Sequence, residues 1–327
     1  MLKIGVLGVG HLGKIHLKCI QMIDDLELVG FYDPNEKNAR RALKNHNIQR
    51  FDTLDELIKA VDIIDIVTPT TTHFQLAKQA MLAGRHVFIE KPVTNTITEA
   101  EELLSISREF GVKVQVGHVE RFNPAFLSLE GRSIDPLFIE AHRLATFNPR
   151  GTDVSVVLDL MIHDLDIILK IVQSNVKSIH ASGVKIVSNT PDISNARIEF
   201  ENGCVANVTA SRMSLKNMRK LRLFQEDAYI SVDFLDKKSE IIRLFEKEDP
   251  ELPENAHFIE LDTINGEKLL HIEIPDIASV NAIKMELETF TEAIRNDRTP
   301  YVTLEDGYNA LKLAYQIIES MKNLGSN

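Results

Sequence analysis

Residues 1–13, MLKIGVLGVGHLG, decide the fold. Lys3–Leu7 is an apolar run of strand length. Gly8, Gly10 and Gly13 follow as a GxGxxG motif. A helical pattern then runs over 11–23, with Leu12, Ile15, Cys19 and Ile23 on one face. Asp33 closes the next apolar run, Leu28–Tyr32, about 20 residues beyond Gly13. Glycines in this spacing are a weak signal alone. Between a strand and a helix, with an acid at that distance, they describe a dinucleotide-binding βαβ unit. Gly8 allows the tight turn, Gly10 lets a pyrophosphate reach the backbone, and Gly13 permits close packing of helix on strand. His11 and Leu12 lie between them, where free N–H groups and the positive end of the helix dipole suit phosphates. A carboxylate at Asp33 accepts from a free ribose 2′-hydroxyl and repels a 2′-phosphate, so NAD is the expected cofactor. Lys37 and Arg40 are near enough in sequence to keep NADP open.

Outward from the motif, residues 1–120 keep alternating strands and helices. Strand runs fall at Ile63–Val67, His86–Ile89 and Lys113–Val116. Helical patterns fall at Asn35–His46, Leu54–Ala60, Thr72–Ala83 and Thr98–Phe110. Near-continuous Val/Ile strands between helices predict an α/β Rossmann domain, a doubly wound parallel sheet buried on both faces. The pattern changes after about Val119. A helix near Pro124–Leu129, a strand Phe138–Arg143, a loop Asn148–Asp153 and a long helix Ser155–Val172 are followed by successive strands to about Ile274. Asn202-Gly203 marks a hairpin among them. The second domain is therefore expected to be α+β with a large, mostly antiparallel sheet. Helices over Asn281–Arg295 and Leu304–Lys322 close the chain. The expected boundaries are 1–120 for the dinucleotide domain and 121–303 for a substrate-binding and oligomerisation domain. The helix at 304–323 is expected to return to the first domain.

Composition agrees with this class and narrows its partners. A chain of 327 residues suits two domains at about 100–200 residues each. The net charge of −11 argues against a nucleic-acid surface. Cys19 and Cys204 lie far apart, in no metal-ligand spacing, so neither a disulfide framework nor a metal site is expected. No apolar run approaches the roughly 20 residues a bilayer requires, and the apolar start is too short for a secretory leader. A cytoplasmic protein without membrane or nucleic-acid partners is the expectation.

Three further stretches carry candidate chemistry. Glu90-Lys91-Pro92 follows a strand, and ligands of an open parallel sheet sit beyond the carboxyl ends of its strands. Thr68-Pro69-Thr70-Thr71-Thr72-His73 joins a strand to a helix, where the same threonines could also serve as ordinary caps. Asp159 and His163 stand four apart on the long helix and share a face, with Asp166 partly beside them. Histidine is suited to moving a proton near neutral pH. The same pair could be a plain helix-surface contact.

Together these landmarks resemble the Gfo/Idh/MocA family of oxidoreductases: GVGHLG, Asp33, TPTTTHF at 68–74, EKP at 90–92 and D-x-x-x-H at 159–163, in order along nearly the whole chain. The resemblance implies a Rossmann domain plus an open-faced sheet domain, bound NAD or NADP, and a sugar, cyclitol or related polyol substrate. By the same resemblance, His163 accepts the hydroxyl proton, Lys91 stabilises charge on that oxygen, and Asp159 orients the site. Thr68, Pro69, His73 and Glu90 resemble the cofactor-side residues. In GHVERFNP at 117–124, Arg121 and Asn123 are candidates for substrate contact, although Arg121 could equally hold an ion pair. Arg150 is a further candidate.

Only Gly151 stands where many members have a glycine-rich stretch, so a simple sugar is not carried over as substrate. GHVERFNP, VVLDLMIHDLDIIL and NVTASR most resemble members that oxidise C3 of UDP-N-acetylglucosamine before an aminotransferase acts. Arg143, Arg150, Arg212 and Arg219 are then candidates for a diphosphate. A free-sugar or inositol dehydrogenase, and a silent dinucleotide-binding sensor, are the alternatives. Residues alternating on both faces of the sheet strands, such as Val205, Asn207 and Thr209 against Cys204, Ala206 and Val208, point to a homodimer or homotetramer.

Overall fold

The computed structural model describes residues 1–148, 154–249, 252, 256–264 and 266–324. It divides into two compact units, one of residues 1–122 and 280–312, the other of residues 123–279 and 313–327.

The first unit is built in chain order from β1 (Leu2–Leu7), α1 (His11–Ile20), β2 (Leu26–Tyr32), α2 (Glu36–Asn45), β3 (Gln49–Arg50), α3 (Leu54–Ala60), β4 (Ile63–Ile66), α4 (Thr70–Leu82), β5 (His86–Glu90), α5 (Ile97–Phe110) and β6 (Val114–Gly117). The sheet order is β3-β2-β1-β4-β5-β6, parallel throughout. This is the doubly wound order, with its reversal between β1 and β4, where such folds open a ligand crevice. Local sequence sets the helix starts. Thr53 with Glu56, and Thr96 with Glu99, form reciprocal capping boxes on α3 and α5. Gly111, at φ 62°, ends α5 in the left-handed conformation. β4 is buried along its whole length, as a central parallel strand must be.

Of the face expected for α1, Cys19 and Ile23 are in the core and Leu12 packs against it, but Ile15 is not. The helix buries Gly13, His16, Leu17, Cys19 and Ile20, whereas Ile15 is exposed and the helix stops at Ile20. The inward stripe carries His16 where apolar periodicity alone selects Ile15.

The second unit holds α6 (Pro124–Leu127), β7 (Phe138–Leu144), a π-helical turn (Val157–Met161), α7 (Ile162–Val172), then β8 (Val176–Val184), β9 (Ile193–Phe200), β10 (Val205–Ser211), β11 (Met218–Phe224), β12 (Ala228–Asp233), β13 (Lys238–Glu246), β14 (Phe258–Thr263) and β15 (Gly266–Glu273). Their sheet order is β14-β15-β13-β12-β11-β7-β10-β9-β8. Every pair is antiparallel except β7 with β10. One face packs Ile139, Ala141, Ile198, Ala206, Val208 and Leu223 against Met161, Leu165 and Ile168 of the helical layer. The hairpin at Asn202-Gly203 is present, with Gly203 at φ +92°.

Two helices follow the sheet strands, α8 (Ala282–Arg295) and α9 (Leu304–Leu324). The observed units differ from the expected boundaries here. Leu287 and Phe290 of α8 join the core of the first unit with Leu17, Ile20 and Phe88. The chain is thus back in that unit from Val280, ahead of α9, whose residues from Leu313 onward group with the second unit. No helix among the described residues is long and apolar enough to cross a membrane.

Candidate active site

The glycine loop leaves the end of β1. Gly8 stands at φ +87°, and its N–H donates to Tyr32 O at 3.0 Å. A Cβ on Gly8 would meet Val67 O at 2.8 Å, and one on Gly13 would meet Gly8 O at 2.0 Å. These two glycines are therefore demanded by the chain's own packing. Gly10 is different: a Cβ there meets nothing within 4 Å. It is the N-cap of α1 and supplies no side-chain hydrogen bond to it. The open space over Gly10 and the uncapped helix end fit a dinucleotide pyrophosphate, which would occupy the one and satisfy the other. His11 is exposed and Leu12 half-buried at this end.

Asp33, just beyond β2, is buried and braces the loop. Its Oδ2 accepts Val9 N–H at 2.9 Å, and its Oδ1 accepts Asn35 N–H at 2.8 Å. Nearby, Glu36 binds Arg50 at 2.6 Å and lies 3.7 Å from Arg40. The Arg50 partner holds the Glu36 carboxyl below the usual carboxylate range.

Beyond β4, Thr68 is half-buried and Pro69 exposed, with the Thr72 hydroxyl donating to Thr68 Oγ1 at 2.8 Å. His73 is buried between two carbonyls, Nδ1 at 2.9 Å from Pro92 O and Nε2 at 2.9 Å from Thr68 O. Burial outweighs those carbonyls and keeps its pKa below the ordinary histidine value. It ties the loop after β4 to the turn after β5. In that turn Glu90 is buried, Lys91 half-buried, and the Lys91–Pro92 peptide is cis. Glu90 Oε2 accepts the Lys91 peptide N–H at 3.2 Å. Gly8, Asp33, Thr68 and Lys91 thus lie at or just past the carboxyl ends of β1, β2, β4 and β5, as ligand positions in this fold should.

In the second unit Asp159 and His163 are both half-buried, beside one another in the chain's passage from the π turn into α7. A regular α-helix was expected across them. The π turn widens the backbone at Asp159, and such single turns recur at functional sites. Asp166 is buried.

The residues of GHVERFNP lie largely inside the protein. Arg121 is 1% exposed and pairs with Asp306 at 3.2 Å. Burial would raise the Asp306 carboxyl, but Arg121 and the Thr303 donors outweigh it and hold it low. Asn123 caps α6 through Ala125 N–H at 3.1 Å and donates to Phe234 O at 3.0 Å. Arg150 lies outside the described residues, as does Gly151.

Two of the diphosphate candidates are committed elsewhere. Arg143 is buried and forks onto Asp164 at 2.9 and 2.8 Å, and Arg212 is buried with Nη2 on Val154 O. Both guanidiniums are thus held by bonds within the protein, which argues against the expectation that they meet a diphosphate. The residues missed by sequence reading are His16, Asp65 and Glu286, all 0% exposed. Their signal was present as polar residues inside otherwise apolar stretches.

The chain matches two family models: the Gfo/Idh/MocA oxidoreductase family, NAD-binding Rossmann fold, over residues 2–118, and the Gfo/Idh/MocA C-terminal domain over residues 135–231. A UDP-N-acetylglucosamine 3-dehydrogenase of Acidithiobacillus ferrooxidans is 35% identical over 317 residues, covering 97% of this chain and 96% of that protein. A solved structure of that enzyme superposes with a TM-score of 0.89 at 34% identity, covering 100% of this chain and 99% of the other. A scyllo-inositol 2-dehydrogenase (NAD(+)) of Bacillus subtilis is 27% identical, covering 97% of this chain and 93% of that protein. The scyllo-inositol dehydrogenase of Lactobacillus casei shares the fold at 22% identity, with a TM-score of 0.76, covering 99% of this chain and 97% of that one. The chain belongs to the Gfo/Idh/MocA family of oxidoreductases with an NAD-binding Rossmann fold.

Proposed function

We propose that this oxidoreductase removes hydride from C3 of a UDP-N-acetylhexosamine, UDP-N-acetylglucosamine being the first candidate, with NAD as acceptor. The observation that carries the reading is the full-length match to an enzyme of that name, at 35% identity. Lys91, Asp159 and His163, all present, supply the groups such chemistry needs.

When bound, the nicotinamide supplies the hydride acceptor. The chain's own residues do the rest. His163 takes the proton of the sugar hydroxyl, and Lys91 donates to that oxygen as negative charge develops on it. Asp159 orients the sugar through a neighbouring hydroxyl. Gly8, Gly10, His11, Leu12 and Gly13 form the phosphate-binding turn, Asp33 receives the ribose hydroxyls, and Thr68, Pro69, His73 and Glu90 shape the nicotinamide side. Arg121 and Asn123 act by holding the backbone that enters the second unit. The Arg50–Glu36 pair at 2.6 Å supports NAD over NADP, since the cation beside Asp33 already faces a carboxylate.

A homodimer or homotetramer is part of the reading. Along β10, Ala206, Val208 and Ala210 are buried, while Val205, Asn207 and Thr209 on the other face are half-buried. A single protomer mass in light scattering at micromolar concentration would remove it. Free thiols at Cys19 and Cys204 suit a reducing cytoplasm.

NADH formation with a panel of UDP-sugars, free sugars and inositols tests the substrate. Oxidation of UDP-N-acetylglucosamine, with the 3-keto product captured by an aminotransferase and an amino donor, is the expected result. Turnover of inositols or free sugars alone would replace the substrate. Lys91→Ala and His163→Ala should each lower kcat by about 10²–10⁴-fold while NAD still binds. Near-parental turnover in both would overturn the assignment of the catalytic pair.

A further inference from the structure

The Rossmann unit contains a buried ionisable cluster in which His16, Asp65 and Glu286 have no part in cofactor binding or proton transfer, while Glu90 joins them to the cofactor side. His16 of α1 is wholly buried, its ring set edgewise to Phe88 with centroids 5.7 Å apart. Its Nδ1 lies 3.0 Å from Asp65 Oδ2 on β4, and its Nε2 lies 3.2 Å from Glu90 Oε1 at the end of β5. From α8, Glu286 enters the same region fully buried, with neither carboxyl oxygen hydrogen-bonded. Gln115 of β6 donates Nε2 to the Glu286 carbonyl at 2.5 Å. Cys19, next to His16 on the inward side of α1, contacts the Asn281 amide nitrogen at 3.5 Å. The titratable groups facing His16 are thus Asp65, Glu90, Glu286 and the Cys19 thiol.

Carboxylates buried this deeply persist only when charge and hydrogen bonds compensate them. Burial alone would push the imidazole of His16 down, but Asp65 and Glu90 outweigh it and hold its pKa well above the ordinary value. Burial and the Glu90 charge push Glu286 well up, toward the neutral acid. His16 thus stands between two carboxylates, hydrogen-bonded to Asp65 through Nδ1 and 3.2 Å from Glu90 through Nε2.

Glu90 is the member of the cluster that reaches the chemistry. One carboxyl oxygen faces His16, and the other accepts the Lys91 peptide N–H. The same group fills the space over Gly117, where a Cβ would come within 2.9 Å of Glu90 Oε1. Its position therefore sets where the Lys91 turn begins.

We propose that His16 is a positioning residue for Lys91: held by Asp65, its imidazole fixes the Glu90 carboxylate on which the Lys91 peptide N–H rests. This rests on the reading that Lys91 contacts the reacting oxygen. Displacements near 1 Å in such supports cost rate more than affinity, since the ligand contacts remain while the reacting geometry is lost.

The test compares His16→Asn, His16→Gln, Glu90→Gln, the double variant His16→Asn/Glu90→Gln and Lys91→Met, with active sites counted by cofactor titration. His16→Asn should lower kcat per site by about 10–100-fold, with KM for substrate and cofactor little changed. His16→Gln, which can still donate to one carboxylate, should recover part of the loss. In the Glu90→Gln background His16→Asn should add little, because both act through one contact. If His16→Asn does not fold, Glu90→Gln must show the same kcat loss at steady KM for the sugar. A purely structural histidine would lower Tm and the fraction of competent sites while leaving kcat per site intact, and that result overturns the proposal. Full additivity of the two substitutions overturns it as well. Retained turnover in Lys91→Met removes the Lys91 assignment and this inference with it. Loss of turnover there, beside unchanged kcat in His16→Asn, removes this inference alone.

Discussion

Oδ2 of Asp33 accepts the peptide N–H of Val9 at 2.9 Å, so the acid at the end of β2 also holds the glycine loop at the end of β1. One carboxylate thereby links the two parts of the cofactor-binding βαβ unit. Asp33→Ala should weaken NAD by about tenfold or more, the value of hydrogen bonds to a charged acceptor. NADP should lose less, because removing the charge also removes its repulsion of the 2′-phosphate. Asp33→Asn keeps an acceptor for Val9 and separates loop support from ribose recognition. Equal losses for the two cofactors in direct binding would sink the discrimination by Asp33.

The three loop glycines should not behave alike. A methyl group at Gly13 would stand 2.0 Å from Gly8 O, a backbone atom that cannot move without shifting the end of β1. Gly13→Ala should therefore lower Tm sharply or abolish soluble expression. A methyl group at Gly10 meets no protein atom within 4 Å. Gly10→Ala should keep the parental Tm without cofactor and lose affinity for it. Calorimetry with and without NAD reads both effects. A strongly destabilised apo Gly10→Ala would show that the fold, rather than the ligand, requires that glycine.

Much of this was legible in the chain because local rules and tertiary packing agree there. GVGHLG, Asp33 and EKP announce themselves by residue type and spacing, and β1, β4 and β5 are apolar runs too short for helices. The second sheet was legible as strands but not as a topology. Nothing in the sequence shows that β7 pairs parallel with β10 between antiparallel neighbours. The π turn at Asp159 also escaped, since a single turn of i→i+5 bonding has no residue-type signature of its own in the chain. His16 and Glu286 escaped for a different reason. Periodicity finds apolar cores, and a buried charge is defined by partners distant in sequence, Asp65 and Glu90 among them. The arginines show the converse: type suggested phosphate contact, and only burial reveals which are paired internally.

Arg143 and Asp164 make that last point measurable. The pair is buried on both sides, with two hydrogen bonds between guanidinium and carboxylate. Removing one partner leaves the other charged and buried, at a cost of about 3–5 kcal/mol. Arg143→Ala and Asp164→Ala should each lower the urea midpoint by a similar amount, and the double variant should lose less than their sum. KM for a nucleotide sugar, measured on the folded fraction, should stay near the parental value. A rise in KM without loss of stability would instead return Arg143 to the substrate.

Asp192 gives the second sheet a pH-dependent anchor. Its Oδ2 accepts the N–H groups of Ile186, Val187 and Ser188 at 2.7, 2.8 and 3.1 Å, and its Oδ1 accepts the Ser188 hydroxyl at 2.7 Å. Burial would raise its pKa, but these donors outweigh it and bring the carboxyl down to about 2. The folded value lies below the unfolded value of about 3.9, so the unfolded chain takes up the proton first as pH falls. The resulting stability is complete above that unfolded value and drains away as pH descends from about 4 toward 2. Asp192→Asn cannot supply this component, because an amide presents one acceptor and adds donors that meet N–H groups. The variant should be less stable at neutral pH, and the gap from the parent should narrow through the acid range. Urea unfolding of both proteins across that range measures the gap. A constant difference at every pH would show that the carboxylate charge of Asp192 contributes nothing to holding the loop between β8 and β9.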